Sequence, residues 1–215
     1  MIREMRAAIF DLDGVIVDTA KYHYLAWKRL ANQYGFDFTE ADNERLKGVS
    51  RTRSLEILLE IGGLSVDAAA KQVMAAQKNH WYVEYIQRMD ASEILPGAAE
   101  YLQTLRNRGV KTAIGSASKN TPLILERLGI LSLFDVVIDG TKVKQAKPDP
   151  EVFLRAAGEL DIPPASCIVF EDAEAGIEAA RRAGMGAVGI GKPIALKDAD
   201  MVMAGLYQLV VLAGA

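Results

Sequence analysis

The sequence predicts an α/β protein, a doubly wound, Rossmann-like parallel sheet interrupted after its first strand by an inserted block of helices. Three observations predict it. In the C-terminal part of the chain, short β-branched or apolar runs alternate with helical stretches, as parallel strands alternate with crossover helices. One further run of the same kind, "RAAIF" (6–10), stands alone near the N-terminus. Between it and the rest, residues from about 18 to 90 read as helix only.

Taken in order, "RAAIF" is a buried strand that ends at Asp11 and Asp13, with Gly14 directly behind them. Three helices follow: "AKYHYLAWKRLANQYG" (20–35), "TRSLEILLEIGG" (52–63) and "VDAAAKQVMAAQKNHWYVEYIQRM" (66–89). In the first, Ala20, Leu25, Trp27, Leu30, Ala31 and Tyr34 approximate an apolar face of helical spacing. The block reads as an α-helical cap domain over 18–91, inserted into a core made of 1–17 and 92–215. Its connections, near 14–18 and 88–95, make a hinge. His80 and Trp81 are expected to pack within this cap.

The core resumes with the helix "PGAAEYLQTLRNRG" (96–109) and the strand "VKTAIGS" (110–116). The helix "NTPLILERLGI" (120–130) and the strand "FDVVI" (134–138) come next, then "DPEVFLRAAGELDI" (149–162) and "SCIVF" (166–170). The helix "AEAGIEAARRAG" (173–184) and the strand "MGAVGI" (185–190) complete the alternation. Gly109, Gly129 and Gly184 are helix stop signals of the expected type. The apolar "MVMAGLYQLVVLAGA" (201–215) reads as a packed final helix or an oligomer contact.

Composition narrows the function classes. The chain has 215 residues, half of them hydrophobic, and a net charge of −3, which gives no electrostatic reason to expect nucleic acid or an anionic membrane. No apolar stretch approaches the roughly 20 residues that cross a bilayer. One cysteine, Cys167, excludes an internal disulfide and is expected to be a small buried core residue. The expectation is a cytoplasmic, monomeric protein that binds small molecules.

In an open α/β sheet, ligands bind beyond the carboxyl ends of the strands. The residues at those ends are Asp11 and Asp13, then Ser116, Ala117 and Ser118 with Lys119 and Asn120 behind them, then Glu171 and Asp172. Lys147 lies in "AKPDP", the loop after the third strand. Taken singly, each has a bland reading: a DxD in a loop, an acidic pair or Ser118 and Thr121 capping helices, a solvated lysine. Together, in this order and each after its own strand, they describe one site. Several carboxylates share a site only with a cation. Hard oxygen donors without a His or Cys cluster select magnesium over zinc. Hydroxyls, backbone N–H groups and an ammonium suit a phosphoryl group. The chemistry indicated is phosphoryl transfer, with Asp11 placed to attack phosphorus and Asp13 to move a proton.

With "DLDG", "SAS", "KPDP" and "EDAEAG" in this order, the chain resembles the haloacid dehalogenase superfamily over essentially its full length. Within it, "DTAKYHYLAW" (18–27), "LKGVSRTRSL" (46–55) and "SASKN" (116–120) resemble the β-phosphoglucomutase family. That resemblance implies Asp11 as nucleophile, Asp13 as general acid/base, and Mg²⁺ held by Asp11, the Asp13 carbonyl and Asp172, with Glu171 ligating or supporting. It implies Ser116, Ala117 and Lys147 on the transferring phosphoryl group, with Ser118, Lys119 and Asn120 completing the phosphate loop. In the cap, Thr19, His23, Trp27, Lys47, Gly48, Val49, Ser50, Arg51, Ser54 and Lys78 would face the sugar phosphate, with Arg51 on the phosphate that does not react. The implied reaction interconverts β-glucose 1-phosphate and glucose 6-phosphate through β-glucose 1,6-bisphosphate. A sugar-phosphate phosphatase of the same superfamily shares the core motifs. Two further readings stay open: a phosphonate hydrolase that uses Lys47 as a Schiff base, and a catalytically silent regulatory module.

Overall fold

The computed structural model describes residues 2–46 and 49–213. Six parallel strands form one sheet: β1 (Ala7–Phe10), β2 (Lys111–Gly115), β3 (Val136–Ile138), β4 (Cys167–Glu171), β5 (Gly186–Ile190) and β6 (Met201–Met203), in the order β3-β2-β1-β4-β5-β6. Successive strand residues face opposite sides of a sheet. Ala8, Phe10, Ile114, Ile168, Phe170 and Val188 accordingly pack on one face, and Ala7, Ile9, Ala113, Val169 and Ala187 on the other. The second face is covered by α7 (Glu151–Glu159) and α8 (Glu174–Arg182). The first carries α5 (Ala98–Asn107), α6 (Thr121–Arg127) and the C-terminal α9 (Tyr207–Ala213).

Between β1 and α5 the chain forms α1 (Ala20–Gln33), α2 (Glu40–Glu44), α3 (Arg51–Gly62) and α4 (Ala68–Ile86). Their apolar residues, among them Trp27, Leu30, Leu58 and Tyr82, belong to the same continuous cluster as the first sheet face. The segments that lead into and out of these helices pair with each other. Val17 bridges Ile94 antiparallel, and the Leu95 N–H donates to the Ile16 carbonyl at 2.9 Å. Just beyond, Glu93 accepts a hydrogen bond from the Tyr22 hydroxyl and pairs with Lys21 at 2.7 Å.

The expected strands and helices are present, and Gly109, Gly129 and Gly184 all take positive φ at helix ends. Three expectations are corrected. The 201–215 segment opens with a strand, β6, and only then turns into α9. On α1, Leu25 and Tyr34 are exposed while Trp27, Leu30 and Ala31 are buried. Two positions on a helix are about 200° apart, so Leu25 cannot share the face of Trp27, and Tyr34 lies past the last turn. His80 is exposed on α4, paired with Glu84 at 3.2 Å, whereas its neighbour Trp81 is buried as expected. Cys167 is buried at the start of β4. No helix among the described residues is long and apolar enough to cross a membrane.

Candidate active site

Strand order reverses at β1, which lies between β2 and β4, and such a switch point opens a crevice at the strand ends. Register then decides what meets there. Phe10 pairs with Phe170 on one side and Ile114 on the other, and the Asp11 N–H donates to the Phe170 carbonyl at 2.9 Å. The next residues along are therefore Asp11 beside Glu171, with Ser116 just past the end of β2.

Carboxylate oxygens of Asp11, Glu171 and Asp172 come within 4.8 Å of one another. Lys147 enters from the loop between β3 and α7, its Nζ 2.5 Å from Asp11 Oδ1 and 2.7 Å from Glu171 Oε1, over the Phe153 ring. Burial alone would depress the Lys147 pKa, but the two carboxylates hold it above its ordinary value. Asp11 is pushed well above the usual carboxylate range by burial, which with Glu171, Asp172 and Asp13 outweighs Lys147. The cluster thus carries more negative charge than one ammonium neutralises, and all its donors are oxygens. A hard divalent cation such as Mg²⁺ fits that donor set. Two glycines make room for these carboxylates: a Cβ on Gly14 would run into that of Asp172, and one on Gly176 into that of Glu171. The second Glu171 oxygen is fixed by the Ala173 N–H at 2.8 Å.

Asp13, two residues after Asp11, takes wholly different partners. Its side chain accepts a hydrogen bond from the Thr19 hydroxyl, which in turn accepts one from Tyr82 at 3.2 Å. Thr19 is the N-cap residue of α1, yet its hydroxyl does not cap the helix; Asp18 accepts from the Ala20 N–H at 2.9 Å instead. Burial raises the Asp13 pKa, and the Thr19 bonds oppose that rise. Asp13 is thus tied to α1 and α4, while Asp11 is tied to the sheet.

Within the field of Asp13, α1, α3 and α4 bring His23, Arg51 and Lys78 together in a cationic pocket. Lys78 Nζ lies 2.8 Å from His23 Nδ1, 4.6 Å from the Trp27 ring centre and 4.7 Å from that of Tyr82. His23 stacks on Tyr82, ring centres 4.1 Å apart. Burial, then Lys78 and Arg51, hold His23 well below the usual imidazole range. Burial and Arg51 also push the Lys78 ammonium well below its ordinary value. Arg51 begins α3, whose N-cap Ser50 accepts from the Arg53 N–H at 3.3 Å. Ser54 is buried on the same helix and Val49 is half-buried. Trp27 lies behind Lys78, buried in the apolar cluster. Lys47 and Gly48 lie outside the described residues.

The loop after β2 closes the site. Ser116 is buried and its hydroxyl accepts from the Ser118 N–H at 3.1 Å. Ala117 and Lys119 are exposed, while Ser118 and Asn120 are half-buried. Sequence reasoning missed Tyr82, Phe153 and Asn79, the last of which accepts from the Asn120 amide at 3.0 Å. Tyr82 was within reach of it: four residues after Lys78, it lies one helical turn along the same face. Phe153 and Asn79 carry no local signal.

Residues 5–184 match a family model described as haloacid dehalogenase-like hydrolase. The chain belongs to this family. It is 46% identical over 201 residues to a β-phosphoglucomutase of Bacillus subtilis, covering 93% of this chain and 89% of the relative. A crystal structure of β-phosphoglucomutase from Clostridium difficile superposes with a TM-score of 0.91 at 44% identity, covering 95% of this chain and 93% of that one. The chain is also 34% identical over 188 residues to a phosphorylated carbohydrates phosphatase of Thermotoga maritima, covering 84% of this chain and 82% of that relative.

Proposed function

We propose that this protein is a β-phosphoglucomutase, interconverting β-glucose 1-phosphate and glucose 6-phosphate through β-glucose 1,6-bisphosphate. One observation carries the reading beyond the family. The two carboxylates of the DxD motif have separate anchors, Asp11 on the sheet with Lys147 and Asp13 on α1 and α4 through Thr19 and Tyr82. A proton-moving group tied to the helices that bear the cationic pocket is engaged when those helices are docked on a sugar phosphate. Transfer to sugar is thereby favoured over transfer to water.

In the chemistry proposed, phosphorylated Asp11 loses its phosphoryl group to the 6-hydroxyl of β-glucose 1-phosphate. The new O–P bond forms as the aspartyl O–P bond breaks, and Asp13 accepts the hydroxyl proton. The bisphosphate then turns around. A free Asp11 oxygen attacks phosphorus at position 1 while Asp13 returns the proton to the leaving oxygen, giving glucose 6-phosphate and phosphorylated Asp11. Mg²⁺ held by Asp11, Asp172 and the Asp13 carbonyl, with Glu171 supporting, would supply positive charge against the phosphoryl oxygens. Ser116 and Lys147 hold that group, and Arg51 takes the other phosphate, which suits a guanidinium fork. The 18–91 helices act as a cap that hinges on the paired segments around Val17 and Ile94.

The test is an anomer-specific assay with Mg²⁺ and a trace of β-glucose 1,6-bisphosphate. Glucose 6-phosphate should form from the β- but not the α-1-phosphate. Rapid release of free phosphate without isomerisation would overturn the mutase reading in favour of a phosphatase, the activity carried in the name of the Thermotoga relative.

A further inference from the structure

Helix α4 carries two adjacent polar residues that engage different parts of the molecule. Lys78 turns to His23 and the Trp27 and Tyr82 rings. Asn79, half-buried, accepts through its Oδ1 a 3.0 Å hydrogen bond from the side-chain amide of Asn120, 41 residues along the chain. Asn120 sits in the loop between β2 and α6, and the bond runs on from there. The Asn120 N–H donates to the Ser118 hydroxyl at 3.3 Å, and the Ser118 N–H donates to the Ser116 hydroxyl at 3.1 Å. Thr121 holds the Ser118 carbonyl at 2.8 Å. A chain of hydrogen bonds therefore connects α4 to the buried hydroxyl beside Asp11.

Asn79 lies in the chain between the two connecting segments, which pair at Val17 and Ile94, and Asn120 lies after them. A rotation about those segments that opened the site would separate the two asparagines. Because α4 is one uninterrupted helix, it would carry Lys78 away in the same movement. We propose that Asn79 is a positioning residue that docks the 18–91 helices on the phosphate loop and so decides how much of the phosphoryl group reaches sugar rather than water. This rests on the mutase reading of the site. Transfer to sugar needs Asp13 and the loop held together by a docked α4. Water needs only access to phosphorylated Asp11, which undocking increases.

The experiment compares wild type, Asn79→Ala, Asn120→Ala and the double variant, with Mg²⁺, β-glucose 1-phosphate and a trace of the 1,6-bisphosphate. Glucose 6-phosphate and free phosphate are measured in parallel. Asn79→Ala should lower the ratio of sugar transfer to hydrolysis about fivefold to tenfold, the factor one neutral hydrogen bond supplies. Its urea unfolding midpoint should shift by no more than the loss of that one bond accounts for, and the double variant should lose no more of the ratio than Asn120→Ala alone. Asn79→Ser, whose hydroxyl falls short of Asn120, gives the same readout should Asn79→Ala not fold. A ratio within about twofold of wild type, or additive losses in the double variant, overturns the inference alone. A wild type that only hydrolyses overturns the mutase reading and this inference with it.

Discussion

Replacing Lys147 by Met should destabilise the metal-free protein, and the size of the effect can be worked from the structure. The ammonium lies 2.5 Å from Asp11 and 2.7 Å from Glu171, with side chains only 4%, 11% and 2% exposed. At an effective dielectric of about 20, charges at such separations attract by roughly 6 kcal/mol per pair. Desolvation costs several kcal/mol per ion, so the net contribution is far smaller than the sum. Deleting only the ammonium keeps the carboxylates buried and removes their compensation, a loss of about 3–5 kcal/mol. Met preserves the stem against Phe153, so packing changes little. The assay is urea unfolding in chelator, repeated across pH. The Asp11 carboxyl is held above its unfolded pKa, so its contribution to stability is full below about pH 4 and is lost as pH rises through the folded value. Without Lys147 that loss deepens. The gap between wild type and Lys147→Met should be widest near neutral pH, close as pH falls towards about 4, and narrow when Mg²⁺ is added. A neutral-pH gap below about 1 kcal/mol, or one that does not change with pH, refutes the reasoning.

Further predictions concern the glycines and the cationic pocket. Gly176→Ala places a methyl in the Glu171 carboxylate, and calorimetric titration should show Mg²⁺ affinity reduced by about tenfold or more. Arg51→Ala should depress transfer to sugar while leaving Mg²⁺ affinity at the wild-type value; equal mutase turnover in both proteins would remove Arg51 from the phosphate site. Lys78→Met should raise the urea unfolding free energy by about 1–3 kcal/mol, because a buried ammonium is replaced by an apolar chain of similar volume. It should abolish isomerase activity at the same time. His23 is held below its unfolded pKa, so its contribution is full above about pH 6.5 and lost as pH falls below that value. His23→Gln should flatten the stability profile just below about pH 6.5.

Much of this was legible because the informative signals are local. The runs that became β1 to β5 are apolar stretches bounded by turns, and the groups at their ends follow from one topological rule. What escaped depends on tertiary context. β6 is three residues long and lies inside an apolar run, where period cannot separate strand from helix. α2, "EADNE", has no apolar face and is set by the Thr39–Asp42 capping box. The apolar face of α1 was misjudged at Leu25, since composition alone does not fix which side of a helix is covered. In the site, Asp11, Asp13 and Lys147 announce themselves by motif, whereas the Asn79–Asn120 bond joins two ordinary asparagines 41 residues apart.

The two buried lysines show why the site divides as it does. Lys147 and Lys78 are both enclosed, and burial acts against the charge on each. Lys147 has two carboxylates in contact, which overcome that penalty and hold it charged. Lys78 meets the His23 imidazole and two aromatic faces, with Arg51 adding repulsion and only the field of Asp13 in its favour. An ammonium so placed is stabilised by an arriving anion more than by anything in its own pocket. The sheet edge, with its excess of carboxylates, calls for a cation; the helices, with Lys78 and Arg51 close together, call for an anion. In the function proposed, a sugar phosphate would supply the second and Mg²⁺ the first. Docking the helices on the sheet would then bring each set of charges to its partner, with Asp13, held by Thr19, at the seam between them.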